Sequence, residues 1–145
     1  DSGATWSPNT ITYSDNNRTH MIRVPGSGRF ELRLMDGATN PYLLQAGIIA
    51  AGIDGIDNNR NPGKPSFLNM YAEAHKAKNA KKLPKNLETA LSHLSKSKVM
   101  NKAFSKETIN SYVKLRSLDI KDFKKSKDSK KKGITEWEKL NTLDC

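Results

Sequence analysis

From Arg29 to Leu34 the sequence alternates charge and hydrocarbon without a break, with Arg29, Glu31 and Arg33 set against Phe30, Leu32 and Leu34. Side chains on an extended strand point to opposite faces with a period of two, so this order yields one apolar and one charged face only if the segment is a strand. Wound as a helix, it would scatter charge around every side. Pro25-Gly26-Ser27-Gly28 stands immediately before it, and another extended run, His20 to Val24, precedes that. Proline and glycine clustered this way form turns, so the two runs are expected to pair as an antiparallel hairpin. The charged face has two explanations: a solvated outer surface, or a polar cavity lined by Glu31 and Arg33 on the concave side of a sheet.

The rest of the chain reads as short punctuated elements. Residues 1 to 17 are rich in Ser, Thr, Asn and Asp, and the alternation of Ile11 and Tyr13 with polar neighbours predicts a short strand between loops. Asn40 offers a helix N-cap and Pro41 a first helical residue. From Tyr42 to Ile53 the residues are apolar or small nearly all round, which predicts a helix buried on most sides, with Gly47 and Gly52 permitting close backbone approach. Asp57 to Pro65 reads as a loop. Asn86 can cap a helix with Leu87, Ala90, Leu91 and Leu94 on one face, and Ser105 a longer one with Ile109, Tyr112, Val113, Arg116, Ile120 and Phe123 on one face. Lys124 to Gly133 is a basic low-complexity linker. Beyond it, the capping-box spacing of Thr135 and Glu138 predicts a last short helix anchored by Trp137 and Leu140. No internal repeat is present.

A length of 145 residues suits one domain or part of one. Because the sequence opens on Asp1 rather than methionine, a processed chain or the tail of a longer reading frame is expected. The longest uncharged run, Ala38 to Ile53, contains Thr39, Asn40, Pro41 and Gln45 and is too short for a membrane span. No secretory-signal pattern appears at the start. Cys145 is the only cysteine, so no internal disulfide can form and a reducing cytoplasm is expected. The net charge of +10 is unevenly spread: residues 1 to 63 hold five Arg, no Lys and six acidic residues, whereas residues 64 to 145 hold 20 basic and nine acidic ones.

The hairpin and the helix after it resemble a known family. Asn17-Arg18-Thr19, Ile22-Arg23-Val24-Pro25, Arg29-Phe30-Glu31-Leu32-Arg33 with Asp36, Asn40-Pro41-Tyr42-Leu43 and Ala51-Gly52-Ile53-Asp54-Gly55-Ile56 are similar to the C-terminal signature of glutamine synthetases. Asn69-Met70-Tyr71, Leu83-Pro84, Leu87-Glu88-Thr89-Ala90-Leu91, Trp137-Glu138 and Leu143-Asp144-Cys145 extend the resemblance more weakly. The Asn17-Arg18-Thr19-His20 wording and the closing residues look closer to the type III-like bacterial branch than to type I. The resemblance implies an α+β fold in which the chain supplies the last strands of a curved antiparallel sheet backed by helices. Residues 1–56 would carry an active-site hairpin and buried helix, and residues 57–145 a lysine-rich helical C-terminal region. The upstream part of the same catalytic domain, with its further metal ligands, nucleotide segment and ammonia flap, is not in this sequence.

The implied reaction moves the ATP γ-phosphate onto the glutamate side-chain carboxylate, and ammonia then displaces phosphate. Such chemistry needs cations around phosphoryl oxygens and divalent metals held by carboxylates. By the family pattern Arg18 and Arg23 would contact nucleotide and transferred phosphate, Glu31 would bind Mg2+ or Mn2+, and Arg33 would grip glutamate or steady the phosphorylated intermediate. Glu31 and Arg33, two apart, face the same way on a strand. Arg18 and Arg23, five apart, would face oppositely unless a bulge intervenes or Arg18 lies before the strand. A structural ion-pair network among the same four residues is the rival explanation.

Arg29 reads as a solvated turn charge, His20 as a hydrogen-bonded structural histidine, and His75 and His93 as surface residues without metal-ligand spacing. Tyr71 sits near the place of a nucleotidylated tyrosine in some type I enzymes, but Ala72-Glu73-Ala74-His75-Lys76 replaces the expected acidic and proline-rich residues. It is read as a tyrosine packed under a loop. The resemblance further implies a homo-oligomer when complete and leaves the amine open, since related ligases take methylamine or larger amines.

Two readings from other classes compete: a basic nucleic-acid-binding module and a non-catalytic scaffolding remnant. Neither a recognised binding module nor aromatics interleaved through Lys124 to Lys132 support the first. No specific nucleic acid is therefore expected as a partner. Binding to DNA or RNA should be weak, indifferent to sequence and abolished by physiological salt. Competition titrations at low and physiological salt check this, and sequence-selective binding that survives the salt would overturn it.

Overall fold

The structure, a computed structural model, describes residues 7–142. It is α+β, as the resemblance implied, and its described residues form two compact units that interleave along the sequence: residues 7–37 with 62–83, and residues 38–61 with 84–142.

The first unit is built on a three-stranded sheet, β1 (Tyr13–Ser14), β2 (Ile22–Gly26) and β3 (Arg29–Leu32), in that order. The expected hairpin is present: β2 and β3 pair antiparallel, with Ile22 opposite Leu32 and Arg23 opposite Glu31. The turn is tighter than the sequence implied. Pro25 and Gly26 belong to β2, which leaves Ser27 and Gly28 to reverse the chain, with Gly28 at φ 78°. Glycine adopts that left-handed backbone without a Cβ penalty. The register shifts between Arg23 and Gly26, where Pro25 has no N–H to give the ladder. β3 also ends at Leu32, so Arg33 and Leu34 lie beyond the strand, although Arg33 N still donates to the Met21 carbonyl. β1 joins β2 in parallel rather than antiparallel, with Tyr13 beside Ile22, and its two-residue length lets a short loop make the connection.

Residues 62–83 return to this sheet and are fastened to it mainly by polar groups. Ser66 N donates to the Tyr13 carbonyl, Ile11 N to that of Lys81 and Leu83 N to that of Asn9. Met70, only 2% exposed, is the main buried apolar side chain of this unit. Around it lies a closed network. Met70 N donates to Thr19 Oγ1 (3.0 Å), Thr19 Oγ1 donates to Asn17 Oδ1 (2.8 Å), and Asn17 Nδ2 donates to the Leu68 carbonyl (3.1 Å). His20, fully buried, completes the network through Nε2 on the same Leu68 carbonyl (3.0 Å) and Nδ1 on Thr12 Oγ1 (2.9 Å). A carbonyl only accepts, so Nε2 carries the proton and the Thr12 hydroxyl donates to Nδ1. His20 is thus the structural histidine the sequence suggested.

The second unit is helical: α1 (Pro41–Asp57), α2 (Leu87–Lys96), α3 (Lys98–Phe104), α4 (Lys106–Lys125) and α5 (Glu136–Thr142). The expected caps are made. Asn40 Oδ1 accepts from Tyr42 N and Leu43 N, Asn86 Oδ1 from Thr89 N, and Ser105 Oγ from Thr108 N. Thr135 and Glu138 form the reciprocal box, with Thr135 N on Glu138 Oε2 (2.7 Å) and Glu138 N on Thr135 Oγ1 (3.2 Å). Ile109 is buried and the other five residues predicted for the inner face of α4 are half-buried, while Asn110, Lys114, Leu115 and Leu118 between them are exposed. Phe123 meets Trp137 edge-to-face at 5.3 Å between ring centroids.

Two expectations fail here, and one element was not foreseen. Leu140 does not anchor α5, being 79% exposed. α3 was not foreseen, because seven residues between Ser97 and Ser105 are too few to establish a period. α1, expected to be buried on most sides, contains no buried residue, and Tyr42, Ile49, Ile53 and Ile56 lie open to solvent. Its sequence is that of a covered helix, and the described residues do not cover it.

His20 makes the first unit acid-sensitive. Burial holds its pKa below the ordinary 6.5, against the opposite pull of the Leu68 carbonyl and Asp15. A depressed histidine pKa means that the unfolded chain binds more protons, so the stability is present above pH 6.5 and is lost as pH falls below it. The thermal midpoint should therefore drop between pH 7.5 and 5.5, above the range where carboxylates titrate. His20→Gln should lower the midpoint at pH 7.5 and flatten the profile across that window, and calorimetric melts at several pH values check both outcomes.

Candidate active site

The hairpin register determines which charges meet. Arg23 and Glu31 are direct cross-strand partners, so their side chains leave the same face of the sheet. Arg23 Nη1 lies 2.5 Å from Glu31 Oε2, and Arg33 Nε lies 3.2 Å from Glu31 Oε1. Both carboxylate oxygens are thus engaged by guanidinium groups. The Arg23 and Arg33 side chains are mostly covered, 13% and 17% exposed, whereas Glu31 is 43% exposed. Glu31 is held below its ordinary value, chiefly by the hydrogen bond from Arg23, against the opposing effect of burial and with further help from the positive fields of Arg23, Arg33 and Arg18.

Arg18 resolves the facing problem posed by its spacing from Arg23. It lies in the turn before β2, between the anchored Asn17 and Thr19, with its carbonyl accepting from Arg33 Nη1 and its side chain exposed. Arg18 and Arg23 both line a surface cleft of about 500 Å³, together with Asn16, Asn17, Thr19 and Asn69. The structure therefore brings all four predicted residues to one side of the sheet in two arrangements that share Arg23. Arg18 and Arg23 border the cleft; Arg23, Glu31 and Arg33 form the ion-paired row beside it. Arg29 is exposed at the start of β3, and His75 and His93 are exposed as expected. Tyr71 is 45% exposed, and its hydroxyl donates to the Ser7 carbonyl at 3.1 Å. Cys145 lies outside the described residues.

Asn16 and Asn69 were missed. Asn16 carries no pattern beyond its adjacency to Asn17, and Asn69 reaches the cleft only because residues 66–71 fold back over the sheet, a long-range event with no local periodicity. An anion with several oxygens fits the lining, since arginine forks and amide N–H groups can donate and no carboxylate is among the lining residues. A divalent cation fits less completely. Among the described residues no three His, Cys, Asp or Glu side chains gather, and hard cations take six or more oxygen ligands. Glu31 can supply one oxygen, so the described residues do not by themselves make a metal centre.

Comparison with known proteins gives this geometry a context. Residues 3–138 match the family model described as glutamine synthetase, catalytic domain. A glutamine synthetase of Rhizobium leguminosarum bv. phaseoli is 50% identical over 99% of this chain and 31% of its own length. A glutamate–methylamine ligase of Methyloversatilis universalis is 38% identical over 98% of the chain, again 31% of its own length. The solved structure described as "GmaS/ADP complex-Conformation 1" superposes with a TM-score of 0.79 at 45% identity, covering 99% of this chain and 31% of that one. The chain spans 31% of the length of these relatives. Because the matched region takes in the Arg18 turn, the paired strands and all but the last residues, the chain belongs to the glutamine synthetase catalytic-domain family.

Proposed function

We propose that this sequence forms the C-terminal part of the catalytic domain of an ATP-dependent glutamate–ammonia ligase, which makes glutamine through a γ-glutamyl phosphate. The observation that carries the reading is the shared use of Arg23. One guanidinium borders an anion-suited cleft and also pairs with the carboxylate of Glu31, whose other oxygen meets Arg33. A phosphoryl donor in the cleft would then lie beside a carboxylate suited to a metal and a cation suited to a substrate carboxylate.

In this reading Arg18 and Arg23 hold nucleotide and transferring phosphate, Glu31 contributes one oxygen to a Mg2+ or Mn2+ ion, and Arg33 binds glutamate. Bound metal would neutralise charge developing on the phosphoryl oxygens. The chain's own contribution is orientation: the β2–β3 register fixes the spacing of Arg23 and Glu31, and the anchored Asn17 and Thr19 fix the turn that carries Arg18. The upstream part of the same enzyme would supply the remaining ligands, and we place the complete ligase in the cytoplasm as a homo-oligomer of the type III-like branch. The relative named glutamate–methylamine ligase makes methylamine the second amine to assay alongside ammonia.

The roles separate by kinetics. In the full-length ligase, Glu31→Ala should lower turnover and raise the metal concentration needed for half-maximal rate. Arg33→Ala should chiefly raise KM for glutamate, by about tenfold or more for a lost charged hydrogen bond. Titrations of metal and of glutamate for both variants check the division; near-normal kinetics in both would return these residues to a purely structural ion pair.

Residues 1 to 145 alone should release no phosphate in a manner dependent on glutamate and ammonia. Co-expression with the upstream part should raise the solubility of the chain and restore that activity. Both are read from soluble yield and a coupled phosphate assay, and full activity of the chain alone would overturn the proposed division of ligands.

A further inference from the structure

Two amides in the cleft have their orientation determined by what their oxygens already do. Asn16 Oδ1 accepts from Arg23 Nε at 2.8 Å and also from Arg23 Nη2. Asn69 Oδ1 accepts from two backbone groups, Tyr71 N at 3.0 Å and Ala72 N at 3.3 Å, while Asn69 N donates to Glu73 Oε2 at 3.0 Å. A donor can approach only the oxygen of an amide, so neither side chain can be flipped without setting N–H against N–H. Each amide therefore has its NH2 group left over. Both residues line the same cleft as Arg18 and Arg23.

We infer that Asn16 and Asn69 are ligand-binding residues of this cleft, each presenting an amide NH2 group to phosphoryl oxygens held between Arg18 and Arg23. The inference rests on the functional reading above and extends it to two residues outside the predicted set. Their supports differ. Arg23 orients Asn16 while itself bordering the cleft, so the two act as one pair of donors. The turn at residues 69–72 orients Asn69, and the Thr19 hydroxyl fixes that turn through Met70 N. Donors thus reach the cleft from both the sheet and the returning segment, an arrangement that suits an anion with oxygens in several directions more than a planar carboxylate.

The test uses Asn→Asp substitutions in the full-length ligase. Asn69→Asp keeps an oxygen for Tyr71 N and Ala72 N, and Asn16→Asp keeps one for Arg23, so the local folds are preserved while a donor in the cleft becomes a negative charge. Each should weaken ADP binding by calorimetry at least tenfold, the cost of about one charged hydrogen bond. KM for glutamate and the thermal midpoint should stay near the parent values. Asn69→Ser, which retains a capping oxygen without the charge, should fall between parent and Asn69→Asp.

ADP affinity unchanged in both aspartate variants would overturn the inference, as would a rise in glutamate KM with unchanged ADP affinity. Failure of the functional reading shows separately, as absence of ligase turnover in the unsubstituted full-length protein.

Discussion

The Leu68 carbonyl accepts from both Asn17 Nδ2 and His20 Nε2, and the geometry of the first unit depends on that convergence. A sheet of three very short strands has little apolar area to hold it together, and among the described apolar residues of this unit Met70 alone is buried. Buried polar groups left unpaired cost about 1 to 3 kcal/mol each. The network leaves none of its members so: Thr19 passes a hydrogen bond from Met70 N to Asn17, and His20 spans from Thr12 to Leu68. Because these groups satisfy one another across about fifty residues of sequence, the segment carrying Asn69 can sit in one place against the Arg18 turn. The cleft follows from that placement.

Electrostatics then divides the labour among residues that look alike in the sequence. Arg23 and Arg33 are largely covered and share one carboxylate, while Arg18 on its turn is exposed. Glu31 is exposed enough that solvent screens the pairs, so the row is better understood as a positioning device than as a source of stability. Its value lies in geometry. Two guanidiniums and a carboxylate hold one another's rotamers, and Arg23 in turn holds the amide of Asn16. Removing the carboxylate would leave two mostly covered cations facing one another, a larger disturbance than the loss of a single ion pair.

How much of this was legible follows the range of the interaction involved. The alternation of Arg29 to Leu34 specified β3 and the shared face of Glu31 and Arg33, because strand periodicity is local. Asn40, Asn86, Ser105 and Thr135 announced their helices because a cap acts within three residues. The inner face of α4 was readable residue by residue for the same reason. The Ser27–Gly28 turn, the parallel placement of β1 and the fold-back of residues 66–71 were not, since each depends on pairing between distant segments. The cleft was half legible on that account. Arg18 and Arg23 belong to a motif, whereas Asn16 and Asn69 become cleft residues only through the returning segment. α3 was missed for a local reason, too few residues between Ser97 and Ser105 to show a period.

α1 shows what a sequence can specify beyond the contacts its own chain supplies. Its exposed apolar residues Tyr42, Ile49, Ile53 and Ile56 recur at nearly helical spacing, with Ala46 and Gly52 between them, so they form one stripe rather than scattered surface positions. Stripes of that kind are rare on the surface of a complete soluble domain, because each large side chain left in water forgoes about 1.5 to 3 kcal/mol of burial. The helix nevertheless forms within this chain, capped by Asn40 and started by Pro41, and is closed at its far end by Asn58 N on the Asp54 carbonyl. Local capping is thus enough to set the helix, and burial of the stripe is a separate matter of tertiary assembly. The strands bear the same signature, with Phe30 64% exposed on the apolar side of β3. Residue pattern thus marks faces suited to burial, whereas in α1 and at Phe30 of β3 the described residues leave those faces exposed.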